Sequence, residues 1–222
     1  MRQFSLLAFF VLLILFPFFI GQFMAASLAK LQLNPVAAVY LVIGIFAGSL
    51  INIPVARIPR SEEVGAHPLA PFGLDRLFPR LARVGHETVI AVNVGGCLIP
   101  AGLALYELIY LAGRGPGVLL AVVAASTVNT AVCYLMARPV RGLGIVMPGL
   151  VPALVAAAMA WILAPGQAAP VAFVAGVTGP LLGADLLHLK DMGKISTGIA
   201  SIGGAGTFDG IVLSGIVAAY LA

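Results

Sequence analysis

Seven stretches of this chain, roughly 4–26, 35–54, 89–112, 117–136, 148–165, 169–188 and 205–221, run on with hardly a charge. A helix needs about 20 mostly apolar residues to cross the hydrocarbon of a bilayer. These runs are continuously apolar and do not alternate, so the expected fold is all-α: a polytopic transmembrane helical bundle and not a barrel. The last three runs are short, which predicts tilt or unwound ends. Only 9% of the residues are charged and 61% are apolar, against about 25% charged in an average soluble domain. Residues 1–222 are therefore read as a single transmembrane domain. The N-terminal run shares features with a secretory signal, namely Arg2, the apolar stretch Phe4 to Ile20 and the small residues Ala25-Ala26-Ser27. It is read as the first membrane helix.

Basic residues set orientation. With seven spans, ten of the twelve Lys and Arg fall on one side and only Lys30 and Arg114 on the other. The N-terminus is therefore expected in the cytoplasm and the C-terminus outside, in a cell inner membrane. The loop at about 55–88 becomes cytoplasmic. It is Pro-rich and carries five arginines with Glu62, Glu63, Asp75 and Glu87. Leu74, Leu77, Phe78 and Leu81 fit a short amphipathic helix on the membrane surface, with a solvated loop that fixes topology as the alternative.

The net charge of +4 is spread over loops. It forms no basic patch interleaved with aromatics, so nucleic acid is not an expected partner. No nucleotide motif and no cofactor motif is present, so no cofactor is expected. Cys97 and Cys133 sit in apolar runs and are read as small buried hydrophobes. No internal repeat of the kind that marks many transporters is visible.

Against this background two acids stand out. Asp185 lies in Gly183-Ala184-Asp185-Leu186-Leu187-His188, and Asp209 in Gly206-Thr207-Phe208-Asp209-Gly210-Ile211. A carboxylate within a membrane is expensive and points to function. The sixth run goes inward and the seventh outward, so each aspartate is expected about one helical turn from the cytoplasmic surface. The two carboxyls could meet there and share a proton. Asn93, Asn129 and Asn52 fall at a similar level, and His188 lies three residues beyond Asp185 on the same helix face. The asparagines also suit a plainer role as hydrogen bonds between helices. In the outer half Glu107 is expected to snorkel to its interface.

Residues 193–210 are rich in glycine, including Gly203, Gly204, Gly206 and Gly210, with Ser196, Thr197, Ser201 and Thr207 among them. Such a run favours bends and exposed amides, so a partly unwound or re-entrant segment is expected. Gly204 and Gly206 are counted with the polar site. Gly206 to Gly210 and Gly44 to Gly48 are also GxxxG pairs, which suit close helix packing.

The stretch Gly183 to Asp191, with Ala200 to Ile211, Asn93-Val94-Gly95-Gly96 and Ala169-Pro170-Val171-Ala172, resembles a family of uncharacterised bacterial and archaeal integral membrane proteins. The resemblance covers roughly the C-terminal 130 residues and implies no activity. A second resemblance is to the di-aspartyl intramembrane proteases: presenilin, signal peptide peptidase and the prepilin peptidases. They carry one aspartate on one span and a second after a Gly-x-Gly motif on another. Here Gly204-Ala205-Gly206 precedes Asp209 with Thr207-Phe208 between, and Pro152-Ala153-Leu154 resembles their Pro-Ala-Leu motif. This resemblance implies Asp185 and Asp209 as the catalytic pair and a membrane protein as substrate.

Four functions are compatible with these residues. In an intramembrane aspartyl protease one aspartate would act as general base and its protonated partner would polarise the peptide carbonyl. In a proton- or cation-coupled transporter the same acids would bind the ion. A metal enzyme would use Asp185, His188 and Asp209, with Asp191 able to join. A non-catalytic subunit or assembly factor would use its polar level only to hold helices and a partner subunit. The bilayer itself is a partner in every case.

Overall fold

In a computed structural model the chain is described over residues 2–59, 87–140, 144–192 and 199–222. The amphipathic pattern at Leu74 to Leu81 lies outside the described residues, as does the 193–198 part of the glycine-rich run. The elements in chain order are α1 (Arg2–Ala29), α2 (Pro35–Gly48), β1 (Asn52–Pro59), β2 (Glu87–Asn93), α3 (Val94–Ala112), α4 (Pro116–Met136), β3 (Arg138–Val140), β4 (Gly144–Val146), α5 (Val151–Leu163), α6 (Pro165–Leu186), α7 (Leu189–Met192), β5 (Ile199–Ile202) and α8 (Gly210–Leu221).

Local chemistry marks the helix starts. Asn34 accepts the Val36 amide at 2.9 Å ahead of Pro35 at the first turn of α2. Asn93 accepts the Gly96 amide at 2.7 Å at the start of α3. Pro116 opens α4 behind Gly115, whose φ of +113° suits glycine. Asp209 caps α8. Each device satisfies, or removes, an amide that has no partner within the first turn.

Among the described residues three helices are long and apolar enough to cross a membrane: α3, α4 and α6, of 19, 21 and 22 residues. Shorter apolar helices are Leu15–Ala29 of α1, then α2, α5 and α8. Their outer faces are apolar too, with Ile109, Leu120, Leu135 and Ile162 each exposed. So much exposed apolar surface is foreign to a water-facing bundle.

Helix α6 is the hub. It packs against α3, α4, α5 and α8. Nearly every residue from Ala168 to Val177 is buried, as expected of a helix that is apolar all round. Its small residues let neighbours approach closely. A Cβ on Gly183 would lie 2.3 Å from the Thr130 carbonyl oxygen of α4, and one on Gly176 would lie 2.7 Å from the Ser214 carbonyl oxygen of α8. Between α2 and α3 the same device recurs: a Cβ on Gly95 would be 2.1 Å from the Ile45 carbonyl oxygen. The Gly44/Gly48 pair serves this contact through Gly48, whose added Cβ would come within 2.9 Å of the Gly95 amide nitrogen.

The all-α expectation fails at one end of the bundle. β1 and β2 pair antiparallel from Asn52↔Asn93 to Pro59↔Glu87, and β5 joins β2 in parallel from Val89↔Ile199 to Val92↔Ile202. A second hairpin pairs β3 with β4. The run at 35–54 therefore stops being helical at Gly48, and the run at 89–112 begins as a strand that becomes helix only at Val94. Asn52 starts a strand and does not end a helix. β1 is an edge strand, which explains how it tolerates Pro54 and Pro59. The register shifts between Pro54 and Ala56, placing a bulge there. Of the two expectations for the glycine-rich run, its described part fits the unwound one: β5 followed by a short 3₁₀ turn at Gly206–Phe208.

Candidate functional site

Two turns of wide helix prepare the site. α6 ends in a π-helical stretch, Gly179–Leu186, in which the Leu187 amide reaches the Leu182 carbonyl at 3.0 Å. Pro180 near its start lacks an amide, so the regular ladder is already broken there. π-helical turns are uncommon and recur at functional sites. Asp185 lies in this stretch. α3 likewise begins with a π-helical turn at Val94–Leu98.

Asp209 arrives by another route. After β5 the chain turns through Gly203 (φ +69°) and Gly206 (φ +61°), both in the left-handed region that glycine occupies freely. Gly203 lies backbone to backbone on the start of α3: a Cβ on Gly96 would be 2.0 Å from its carbonyl oxygen. Asp209 then caps α8. Its Oδ1 accepts the Ile211 amide at 3.0 Å and its Oδ2 accepts the Ala205 amide at 3.2 Å. Asp209 is thus at the mouth of the helix and not one turn inside it. Gly206 and Gly210 do not form a helix-packing pair, because α8 begins only at Gly210.

The two aspartates face the same space. Both are half-buried, and both line the same two cavities. One, of about 290 Å³, is also walled by Ile145, Ser201, Gly204 and Ala205. The other, of about 270 Å³, is walled by Met147, Pro180, Phe208 and Leu213. Either has room for several waters or a small polar group. The Asp209 charge and the Gly203 amide both act on the Asp185 carboxyl. The Cys97 thiol lies within reach of both aspartate charges. Cys97 and Cys133 are buried and free.

A polar network holds the Asp209 loop against the sheet. The buried Asn93 side chain donates to the Ser49 carbonyl at 2.8 Å and to Asn52 Oδ1 at 3.2 Å. Ser201 Oγ donates to the same Asn52 oxygen at 2.6 Å. Ser49 Oγ donates to the Ile45 carbonyl at 2.6 Å, which leaves Thr207 Oγ1, 3.0 Å away, to donate to Ser49. Asn93 and Asn52 therefore position the site and do not enter it. Ser49 was not marked by its sequence context. Its only signal is a small hydroxyl residue at the end of the Gly44–Gly48 helix.

Other expected site residues lie elsewhere. Asn129 is buried between helices: its Nδ2 donates to the Ala175 carbonyl at 2.8 Å, and it rests against Gly179. His188 does not share a helix face with Asp185, because α6 ends at Leu186. Its Nδ1–H donates to the Gly183 carbonyl at 3.0 Å and its ring packs on Tyr134 at 4.9 Å. Neither residue lines the two cavities, and nor do Pro152, Ala153 and Leu154. Gly204 lines the first cavity; Gly206 packs on Ser49. Among the described residues no three acid, histidine or cysteine side chains gather as a metal site, so Asp185, His188 and Asp209 do not form one. Glu107 does not snorkel: it is fully buried.

No curated protein and no solved structure matches the chain. A family model described as "Protein of unknown function (DUF1614)" matches residues 45–221, which takes in β1 to α8 and both aspartates. The chain belongs to that family.

Proposed function

We propose that this is a multi-pass protein of the cell inner membrane, with seven embedded helices and a cytoplasmic N-terminus, and that Asp185 and Asp209 are the catalytic pair of an intramembrane aspartyl protease. The observation that carries this reading is that both carboxyls line the same two cavities, each with room for several waters. Two adjacent carboxyls cannot both ionise cheaply and so share one proton. Asp209, whose two oxygens already accept amide hydrogens, is the ionised member. Asp185 carries the proton. Water attacks the peptide carbonyl carbon and passes a proton to Asp209, while Asp185 gives its own proton to the carbonyl oxygen. The tetrahedral diol then collapses: one of its hydroxyls returns a proton to Asp185 as the C=O bond re-forms, the C–N bond breaks, and the leaving amine takes the proton from Asp209.

A peptide suits this site better than a bare ion. β5 is an edge strand with no partner on its far side among the described residues, and its residues Ile199, Ala200 and Ser201 wall the cavity that holds both aspartates. A transmembrane helix hides its peptide bonds in its own ladder. Unwound beside β5, it regains those hydrogen bonds from the strand edge and presents an exposed carbonyl to the carboxyls. The test is cleavage of single-span apolar segments by the purified protein in liposomes. Asp185→Asn and Asp209→Asn each reduce it to a residual rate at most; cleavage near the unaltered protein's rate by either variant overturns the reading.

A further inference from the structure

Glu107 is the acid that the aspartate site does not use. It lies in α3, a helix long and apolar enough to cross a membrane. It is 0% exposed, and both Oε1 and Oε2 are without a hydrogen-bond partner. α3 packs against α2, α4, α6 and α8. Over their described lengths these helices contain no Lys, Arg or His. Their titratable groups are Tyr40 on α2, Cys133 and Tyr134 on α4, Asp185 on α6 and Tyr220 on α8, with Cys97, Tyr106 and Tyr110 on α3 itself. None of these is a cation. Arg114, just beyond α3, is turned over the Tyr110 ring.

An unpaired carboxylate in such surroundings costs far more than a neutral acid. A buried acid is commonly retained in a membrane helix for a purpose. Both buried oxygens of Glu107 lack a partner, and a bound proton answers this by removing the charge that burial penalises.

We infer that Glu107 is a second proton-binding site, separate from the aspartate pair, where a neutral carboxylic acid is held within the helical core. The ligand is a proton, and the site does not depend on the protease reading.

Infrared spectroscopy of the full-length protein in liposomes tests this. The chain has four glutamates, Glu62, Glu63, Glu87 and Glu107. With ¹³C-carboxyl glutamate incorporated, the protein near neutral pH shows the isotope-shifted C=O stretch of a protonated acid, and Glu107→Gln abolishes it. Absence of that band in the unaltered protein overturns the inference, as does its persistence in Glu107→Gln. Where Glu107→Gln fails to assemble, the band is assigned by a second readout on the unaltered protein. Dicyclohexylcarbodiimide, an apolar reagent, gives it. The acid's O–H adds across one C=N bond, and acyl migration yields a stable N-acylurea. Mass spectrometry then finds one reagent on the Glu107 peptide; reagent found only on other peptides overturns the inference.

Discussion

Asp185 and Asp209 line the same two cavities, yet the backbone holds them differently. Asp209 caps α8 with both oxygens, at 3.0 Å from the Ile211 amide and 3.2 Å from the Ala205 amide. Asp185 projects from a π-helical stretch that makes no such demand on it. One aspartate thus has a structural duty in addition to any chemical one, and substitution can separate the two.

Asparagine caps helices about as well as aspartate, whereas alanine does not. Asp209→Asn is therefore expected to keep the fold and its unfolding midpoint close to the parent's. Asp209→Ala is expected to lose about 0.5–2 kcal/mol. Chemical unfolding in detergent, followed by circular dichroism, checks both. If cleavage is lost in the asparagine variant while stability is kept, the loss is chemical.

A pair that shares one proton acts as a unit, and such units are non-additive. The double variant Asp185→Asn/Asp209→Asn is expected to be no less active than either single variant. Rates from the three proteins on one substrate decide this. A double variant much worse than both singles would mean that the two acids work independently.

The helices were legible because apolar runs of membrane length admit few other folds. The run at 117–136 matches α4, Pro116–Met136, to within a residue. The sheet was not legible because β2 abuts α3 without a break. Glu87 to Asn93 reads Glu-Thr-Val-Ile-Ala-Val-Asn, and a short apolar run cannot be assigned to strand or helix by periodicity. The β-branched Thr88, Val89, Ile90 and Val92 were the available signal. The aspartates were legible as acids in apolar surroundings. Asp209 was expected inside the helix and is its cap; the signal that was passed over is an aspartate just ahead of an apolar run, a helix-start pattern. Glu107 was misplaced because the sequence alone does not show which face of α3 its neighbours cover, and this glutamate is fully buried.

Asn93 is expected to matter for stability far more than for chemistry. It satisfies the buried Gly96 amide and the Ser49 carbonyl at once. Asn93→Ala strands both groups, and each unmade buried bond costs about 1–3 kcal/mol. A loss of about 2–4 kcal/mol is expected, with the Ser49–Thr207 contact released and the Asp209 loop loosened. Unfolding midpoints measure the first effect, and faster hydrogen exchange at 203–209 measures the second.

The close approach of α4 and α6 gives the sharpest test of the packing. At Gly183 an added Cβ would meet the Thr130 carbonyl oxygen at 2.3 Å and the Cys133 Cβ at 2.8 Å. Backbone and a buried side chain cannot yield cheaply, so Gly183→Ala must push α4 away from α6. A loss of about 1–3 kcal/mol is expected. Gly102 of α3 is the control, because a Cβ there meets nothing within 4 Å. Gly102→Ala is expected to be neutral or to stabilise α3 by up to about 1 kcal/mol, the usual gain of alanine over glycine within a helix. Because Asp185 is only two residues beyond Gly183, the first substitution also shifts the π-helical stretch that carries it. Gly183→Ala is therefore expected to impair cleavage as well as stability, and Gly102→Ala neither. Parallel unfolding and cleavage measurements on the two variants check this; equal behaviour of the two would mean that α4 and α6 do not meet at Gly183.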